Sequence, residues 1–226
     1  MNRVPAHLAA LTLTCAALVA GCATESHKSL AVERPVSAGT TYHGPRSALV
    51  VGQFANRSNY LRGMFSDGAD RLGSQAKTIL LSHLQSTGRF DVVDRDNMAQ
   101  LERESKLQGA QQSIQGADYA LSGDVTEFGR KETGDQQFFG VLGSGKKQTA
   151  YTKVVINVID VRTSRIVYSA QGAGEFAMSN REVIGFGGTA GYDSTLNGKV
   201  LDLAIREAVD RLVEGIEKGQ WKPGQK

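Results

Sequence analysis

The chain has 226 residues, of which 40% are hydrophobic, 22% charged and 7% aromatic, a balance that excludes a disordered or fibrous polypeptide and supplies a core. Its 26 Lys and Arg against 23 Asp and Glu leave a net charge of +3 without any basic block, which excludes a nucleic-acid binder held by many phosphate contacts. Both cysteines, Cys15 and Cys22, lie in the first tenth of the chain, so the remainder carries neither a disulfide nor a thiolate metal site.

Met1–His7 carries Arg3, and Leu8–Ala20 is an uncharged stretch rich in Leu and Ala. At 13 residues it has the length of a signal-peptide core and falls short of the roughly 20 residues a membrane-spanning helix needs. It ends in Val19-Ala20-Gly21-Cys22, which resembles a bacterial lipobox; the other reading is an ordinary secretory signal with a chance cysteine. As a lipobox it makes residues 1–21 a lipoprotein signal peptide, removes Cys15, and leaves Cys22 as the acylated first residue of a 205-residue mature chain. Two or more acyl chains make a stable anchor. Ala23 follows the cysteine; in lipoproteins of enteric-type bacteria that points to the outer membrane.

Residues 22–46 are polar, contain Pro35 and Pro45, and read as an extended, lipid-bearing tether. Ser47–Phe54 suits a buried strand, and Ala55–Ser66 is a loop rich in Asn, Ser and Gly. From about Asp67, Ala69, Leu72, Ala76, Ile79, Leu80 and Leu84 fall on one helical stripe that Gly88 ends. Phe90–Val93 is a short strand, and Asp96–Leu107 a charged helix with Met98, Leu101 and Leu107 apolar. Asp118–Phe128, Tyr151–Val161 and Ile166–Ala170 are strand-like, the second apolar on both faces and so central in its sheet. Val200–Ile216 is a last helix with Leu201, Ile205, Ala208 and Leu212 on one face, and 222–226 is a tail. The order predicts one α+β domain, a mixed sheet with flanking helices.

Two Gly-rich segments, 129–152 and 174–194, do not fit a compact core, and long loops of this kind are usually functional. With a four-residue tip, the first has ten residues per arm and the second between eight and nine. A transmembrane β-strand needs about 9–11. Phe138, Phe139, Val141, Leu142, Phe176, Met178, Val183, Ile184 and Phe186 would supply a lipid face. Arg130, Lys131, Asp135, Lys146, Lys147 and Arg181 would have to face water or sit near the ends. Periodicity alone leaves surface hairpins and membrane hairpins both open.

Several motifs point toward chemistry and fall short of it. Gly140–Lys146 copies seven positions of a phosphate-binding loop, but Lys147 stands where the metal-binding hydroxyl belongs and a strand follows. Gly185–Ala190 fits a dinucleotide pattern, yet neither a strand nor a ribose-binding acid follows. Ser74 and Lys77 make an SxxK on a helix without its partner motifs. His27 and His43 lie in the tether and His83 beside an apolar helix face, a set without metal spacing. Glu102 and Glu104 point to different sides of their helix. The expectation is a protein without catalytic residues, metal or cofactor.

The ordered motifs are the lipobox, Gly88-Arg-Phe-Asp-Val-Val-Asp-Arg95, Gly116-Ala-Asp-Tyr-Ala-Leu-Ser-Gly123, Val158-Ile-Asp-Val-Arg-Thr163 and the closing Gly219-Gln-Trp221. Together they resemble the curli-secretion-channel (CsgG/HfaB) family of outer-membrane lipoproteins, over Ser47 to Trp221. The resemblance implies a periplasmic α+β domain, a homo-oligomeric ring, and two β-hairpins per subunit given to a shared outer-membrane barrel. The two Gly-rich insertions occupy those positions. It also implies passive export or anchoring of extracellular fibre or adhesin subunits, with accessory periplasmic factors. The family's channel is narrowed by a loop carrying a Tyr and, four and five residues later, an Asn-Phe pair. Here Tyr60, Met64 and Phe65 stand at that spacing, with Met in place of Asn. A ring of such side chains would form an apolar collar around an extended polypeptide; the other reading has Tyr60 and Phe65 packed on their own domain. The alternative function is a non-channel periplasmic lipoprotein that docks onto an envelope assembly, such as a cell-wall synthase or an adhesin anchor.

Overall fold

The computed structural model describes residues 32–60, 68–136, 144–182 and 195–223. Contacts divide the chain after Glu33, and the unit Arg34–Lys226 holds every element named below. The signal sequence and Cys22, the loop tip with Met64 and Phe65, and the apolar stretches 138–142 and 183–186 lie outside the described residues.

The alternating apolar residues of Ser47–Asn56 become strand β1, with Leu49, Val51 and Phe54 buried. The helical stripe that follows becomes α1 (Arg71–Thr87), which buries Leu72, Ala76, Leu80 and Leu84. Asp70 caps its start by accepting from the Gly73 amide, and Gly88 ends it at a φ of 64°, a conformation that costs a residue without Cβ little. β2 (Phe90–Val93), α2 (Met98–Leu107) and β3 (Tyr119–Gln136) follow, then β4 (Ser144–Asp160), β5 (Ile166–Glu182) and α3 (Leu196–Glu217). The sheet runs β2-β1-β3-β4-β5, with β1 parallel to β2 and β3, and β3, β4 and β5 antiparallel. Among the described residues this is a single mixed α+β domain of five strands and three α-helices, the fold class that the sequence implies.

α1 and α3 cover one face of the sheet. Two glycines let α3 come close: a Cβ at Gly172 would overlap the Ala204 carbonyl, and one at Gly174 would crowd the Val200 carbonyl. α1 and α3 are joined by a 2.8 Å contact between His83 Nε2 and Asp202, so the histidine is a packed helix-to-helix partner. At the end of the sheet where β3 begins, Trp221 stacks near Phe90 and Tyr168, meets Tyr119 edge-on, and donates to Leu212 O at 3.1 Å. The opposite face keeps Val50, Ala120, Val155 and Ile159 half-buried. α2 buries none of its residues and makes no substantial packing contact with another element among the described residues.

The last three strands are longer than the apolar pattern implies. β3 continues from Phe128 to Gln136, β4 starts at Ser144, and β5 continues from Ala170 to Glu182, all in register. The inner part of this extension still buries Ala150 and Thr152 and packs Phe176 and Met178 on the core; on β3, where 129–136 carries no apolar side chain, hydrogen-bond pairing rather than burial carries the strand, so alternation does not announce it. The described parts of the first Gly-rich segment, 129–136 and 144–152, are thus the far parts of β3 and β4, paired to each other. The described part of the second, 174–182, is the far part of β5, paired to β4.

Candidate functional site

The elements meet at the mouth of the extension, around Tyr60. β1 ends at Asn56, whose side-chain oxygen accepts from the Ser58 amide and hydroxyl at 3.0 and 2.6 Å and whose amide nitrogen donates to Tyr60 O at 2.8 Å. This local turn orients the residues after β1. The other end of the loop is fixed by Asp70, which accepts from the Asn56 backbone at 2.6 Å while capping α1. One carboxylate therefore ties both ends of the segment 57–69.

Tyr60 is half-buried, its ring centroid 4.5 Å from that of Phe128. Phe128 faces inward because β3 carries a register shift between Val125 and Glu127. That shift places the two apolar side chains Val125 and Phe128, three residues apart, both in the core. The Tyr60 hydroxyl lies 3.4 Å from Asn197 Nδ2, at the start of α3. Asn197 Oδ1 receives Arg130 at 3.4 Å, and Arg130 also donates to Gln148 Oε1 at 3.0 Å. A polar chain thus runs from Tyr60 through Asn197 and Arg130 to Gln148, joining the loop, α3, β3 and β4. Arg130 sits at the base of the extension, as its charge requires. The sequence places Arg130 and Gln148 in an insertion and carries no signal for their pairing with Asn197, because the link depends on β4 register.

Of the residues singled out in sequence, Tyr60 is in this cluster, while Cys22, Met64 and Phe65 lie outside the described residues. Ser74 donates to Asp70 O at 2.8 Å and Lys77 pairs with Asp96 at 2.5 Å, so the SxxK residues serve α1 separately. Among the described residues there is no group of three or more His, Cys, Asp or Glu placed to hold a metal, and no helix long and apolar enough to cross a membrane. What the arrangement offers is an aromatic and polar rim where three paired strands leave the helical layer.

These elements make a two-layer α+β domain that sends a three-stranded ladder out from under its helices, with the residues after β1 fixed at the ladder's base. The chain belongs to the CsgG family: the model for the curli production assembly/transport component CsgG matches residues 38–225. It is 59% identical over 217 residues to NMB1126/NMB1164 of Neisseria meningitidis serogroup B, a protein named as a lipoprotein, with 96% of this chain and 97% of that protein covered. Solved structures overlap more loosely. A PelC dodecamer from Paraburkholderia phytofirmans is 18% identical with a TM-score of 0.35, over 75% of this chain and 93% of that one. The LpoB C-terminal domain from Salmonella enterica is 19% identical with a TM-score of 0.31, over 58% of this chain and 84% of that one.

Proposed function

We propose that the chain is a lipid-anchored envelope protein, acylated at Cys22, whose domain associates with copies of itself into a ring of the family's secretion-channel type. The ring sits at the outer membrane, facing the periplasm, and passes or anchors extracellular fibre or adhesin subunits without chemistry of its own. The observation that carries this reading is the ladder of β3, β4 and β5, which runs in unbroken register past Arg130 and Gln148, where α3 begins, as far as Gln136, Ser144 and Glu182. A barrel strand needs about 9–11 residues, and the arms 129–136, 144–152 and 174–182 supply eight or nine each. The apolar stretches 138–142 and 183–186, next in sequence, would supply the lipid face. By the resemblance, Tyr60, Met64 and Phe65 form the collar; the packing of the Tyr60 ring on Phe128 favours the other reading, a loop aromatic seated on its own domain, for that residue.

Self-association has its own support. Leu101 of α2 is 45% exposed, Leu107 76%, and Ile114 beyond it 54%. The uncovered sheet face, with Val50, Ala120, Val155 and Ile159, belongs to the same chain. Each copy therefore offers an apolar helix face and an apolar sheet face that a second copy can cover.

A second reading, a docking module without a channel, is favoured by the charges along the described ladder. Arg130 and Glu132 project to one side of β3 and Lys131 to the other, and a lipid-facing strand keeps one side apolar. Extracting the acylated protein in mild detergent and imaging it separates the two. Rings support the channel reading; monomers that pull down a cell-wall synthase or an adhesin anchor support the docking module and contradict the ring.

A further inference from the structure

The N-terminal segment before β1 is held on the domain by a buried cation and a helix carboxylate. Residues 36–39 form a 3-10 turn. Asp210 of α3 accepts from the Val36 amide, the Ser37 amide and the Ser37 hydroxyl at 3.0, 3.0 and 2.8 Å. The Arg89 side chain is only 2% exposed. Its guanidinium donates to Ser37 O at 2.8 Å, Thr87 O at 2.9 Å, Thr40 Oγ1 at 2.6 Å and Glu217 Oε1 at 2.7 Å, and the Tyr42 ring lies 5.3 Å from it. A buried guanidinium needs its partners, and two of the four come from the segment itself.

We propose that Arg89 and Asp210 form a clamp that makes residues 36–42 part of the domain, laid along α3, and so shortens the tether to the lipid-bearing Cys22. This rests on the reading of Cys22 as the anchor. The path along α3 follows from the order of contacts. Thr40 and Tyr42 sit at Arg89 and Glu217, at the end of the sheet closed by Trp221. Val36 sits at Asp210, two turns or about 10 Å nearer the start of α3. Followed from Tyr42 back to Val36, the chain runs along α3 toward that helix's start. An open cleft of about 580 Å³ lies between β5 and α3 along the clamp, lined from Thr40 and Glu217 past Asp210 and Val36 to Gly174 and Leu203.

The clamp shortens the leash. An unpinned tether, 23–46, would have 24 residues and reach about 80 Å at full extension. With 36–42 fixed, 23–35 leaves 13 residues and about 45 Å.

Hydrogen exchange on the full chain in detergent tests the clamp. The Val36 and Ser37 amides are expected to exchange about 100-fold slower than an unstructured peptide. In Asp210→Ala they rise to within about tenfold of the peptide rate, while the β4 amides stay protected. Should Asp210→Ala also release β4, Ser37→Ala takes its place, with the same two amides exchanging several-fold faster. Unprotected amides in the wild type, or protection unchanged in both variants, overturns the proposal. Unmodified Cys22 by mass spectrometry would remove the lipoprotein reading, while the exchange result still decides the clamp.

Discussion

At the scale of single residues, the tightest constraint is the absence of side chains on β5 under α3. In Gly172→Ala the new methyl meets the Ala204 carbonyl, a backbone atom that can move only with the helix. The expected loss is about 2–3 kcal/mol or more, read from urea unfolding. Tyr119 makes a second, pH-dependent prediction. Burial pushes its phenol above the ordinary value, and the Asp160 and Asp118 carboxylates add in the same direction. The raised group favours the neutral form in the folded state. Its contribution is therefore present below the unfolded tyrosine value near 10 and is lost as pH rises through the folded one. Unfolding midpoints are expected to fall more steeply above pH 10 in the wild type than in Tyr119→Phe. That variant also loses the bond to Lys222 O, about 1 kcal/mol at neutral pH. Neither effect is written in local sequence. Gly172 looks like any glycine in a polar run until α3 is laid over it.

At the scale of elements, the caps and stripes are legible and the partners are not. α1 reads directly from Leu72, Ala76, Leu80, Leu84 and Gly88, because burial on one face imposes the helical period. β2 and the buried half of each later strand read just as directly. The outer parts of β3, β4 and β5 do not: Gly129–Gln136 holds no apolar residue, and its strand conformation comes from its neighbours' hydrogen bonds. The segment before β1 reads as tether for the same reason, since what holds residues 36–42 is polar contact with Arg89 and Asp210 far along the chain. Asp70 couples two elements, so Asp70→Ala loses both the α1 cap and the Asn56 contact. The expected cost is about 1–2 kcal/mol by chemical denaturation, more than a cap alone at the lower end of the range. α2 behaves in the opposite way. With Leu101 and Leu107 exposed, the pair Leu101→Glu and Leu107→Glu is expected to leave thermal stability within about 0.5 kcal/mol while shifting detergent-extracted protein to a smaller assembly in light scattering. Unchanged mass would remove α2 from the interface.

At the scale of the whole molecule, the domain divides along its length. One end is closed by Trp221 with its three aromatic neighbours and carries Arg89; the other opens into the ladder, with Tyr60 at its base. The family is legible in the order of short motifs, which among the described residues lie where a strand begins or ends or a helix ends. The polar chain from Tyr60 to Gln148 is not legible, because strand register brings those residues together. The proposed function predicts that this second end is the working one. The measurement that tests it most directly is single-channel recording on the full, acylated chain in planar bilayers. Stepwise conductance is expected, increased in Phe65→Ala because the collar loses its aromatic side chains; rings that insert and pass no current would contradict the channel.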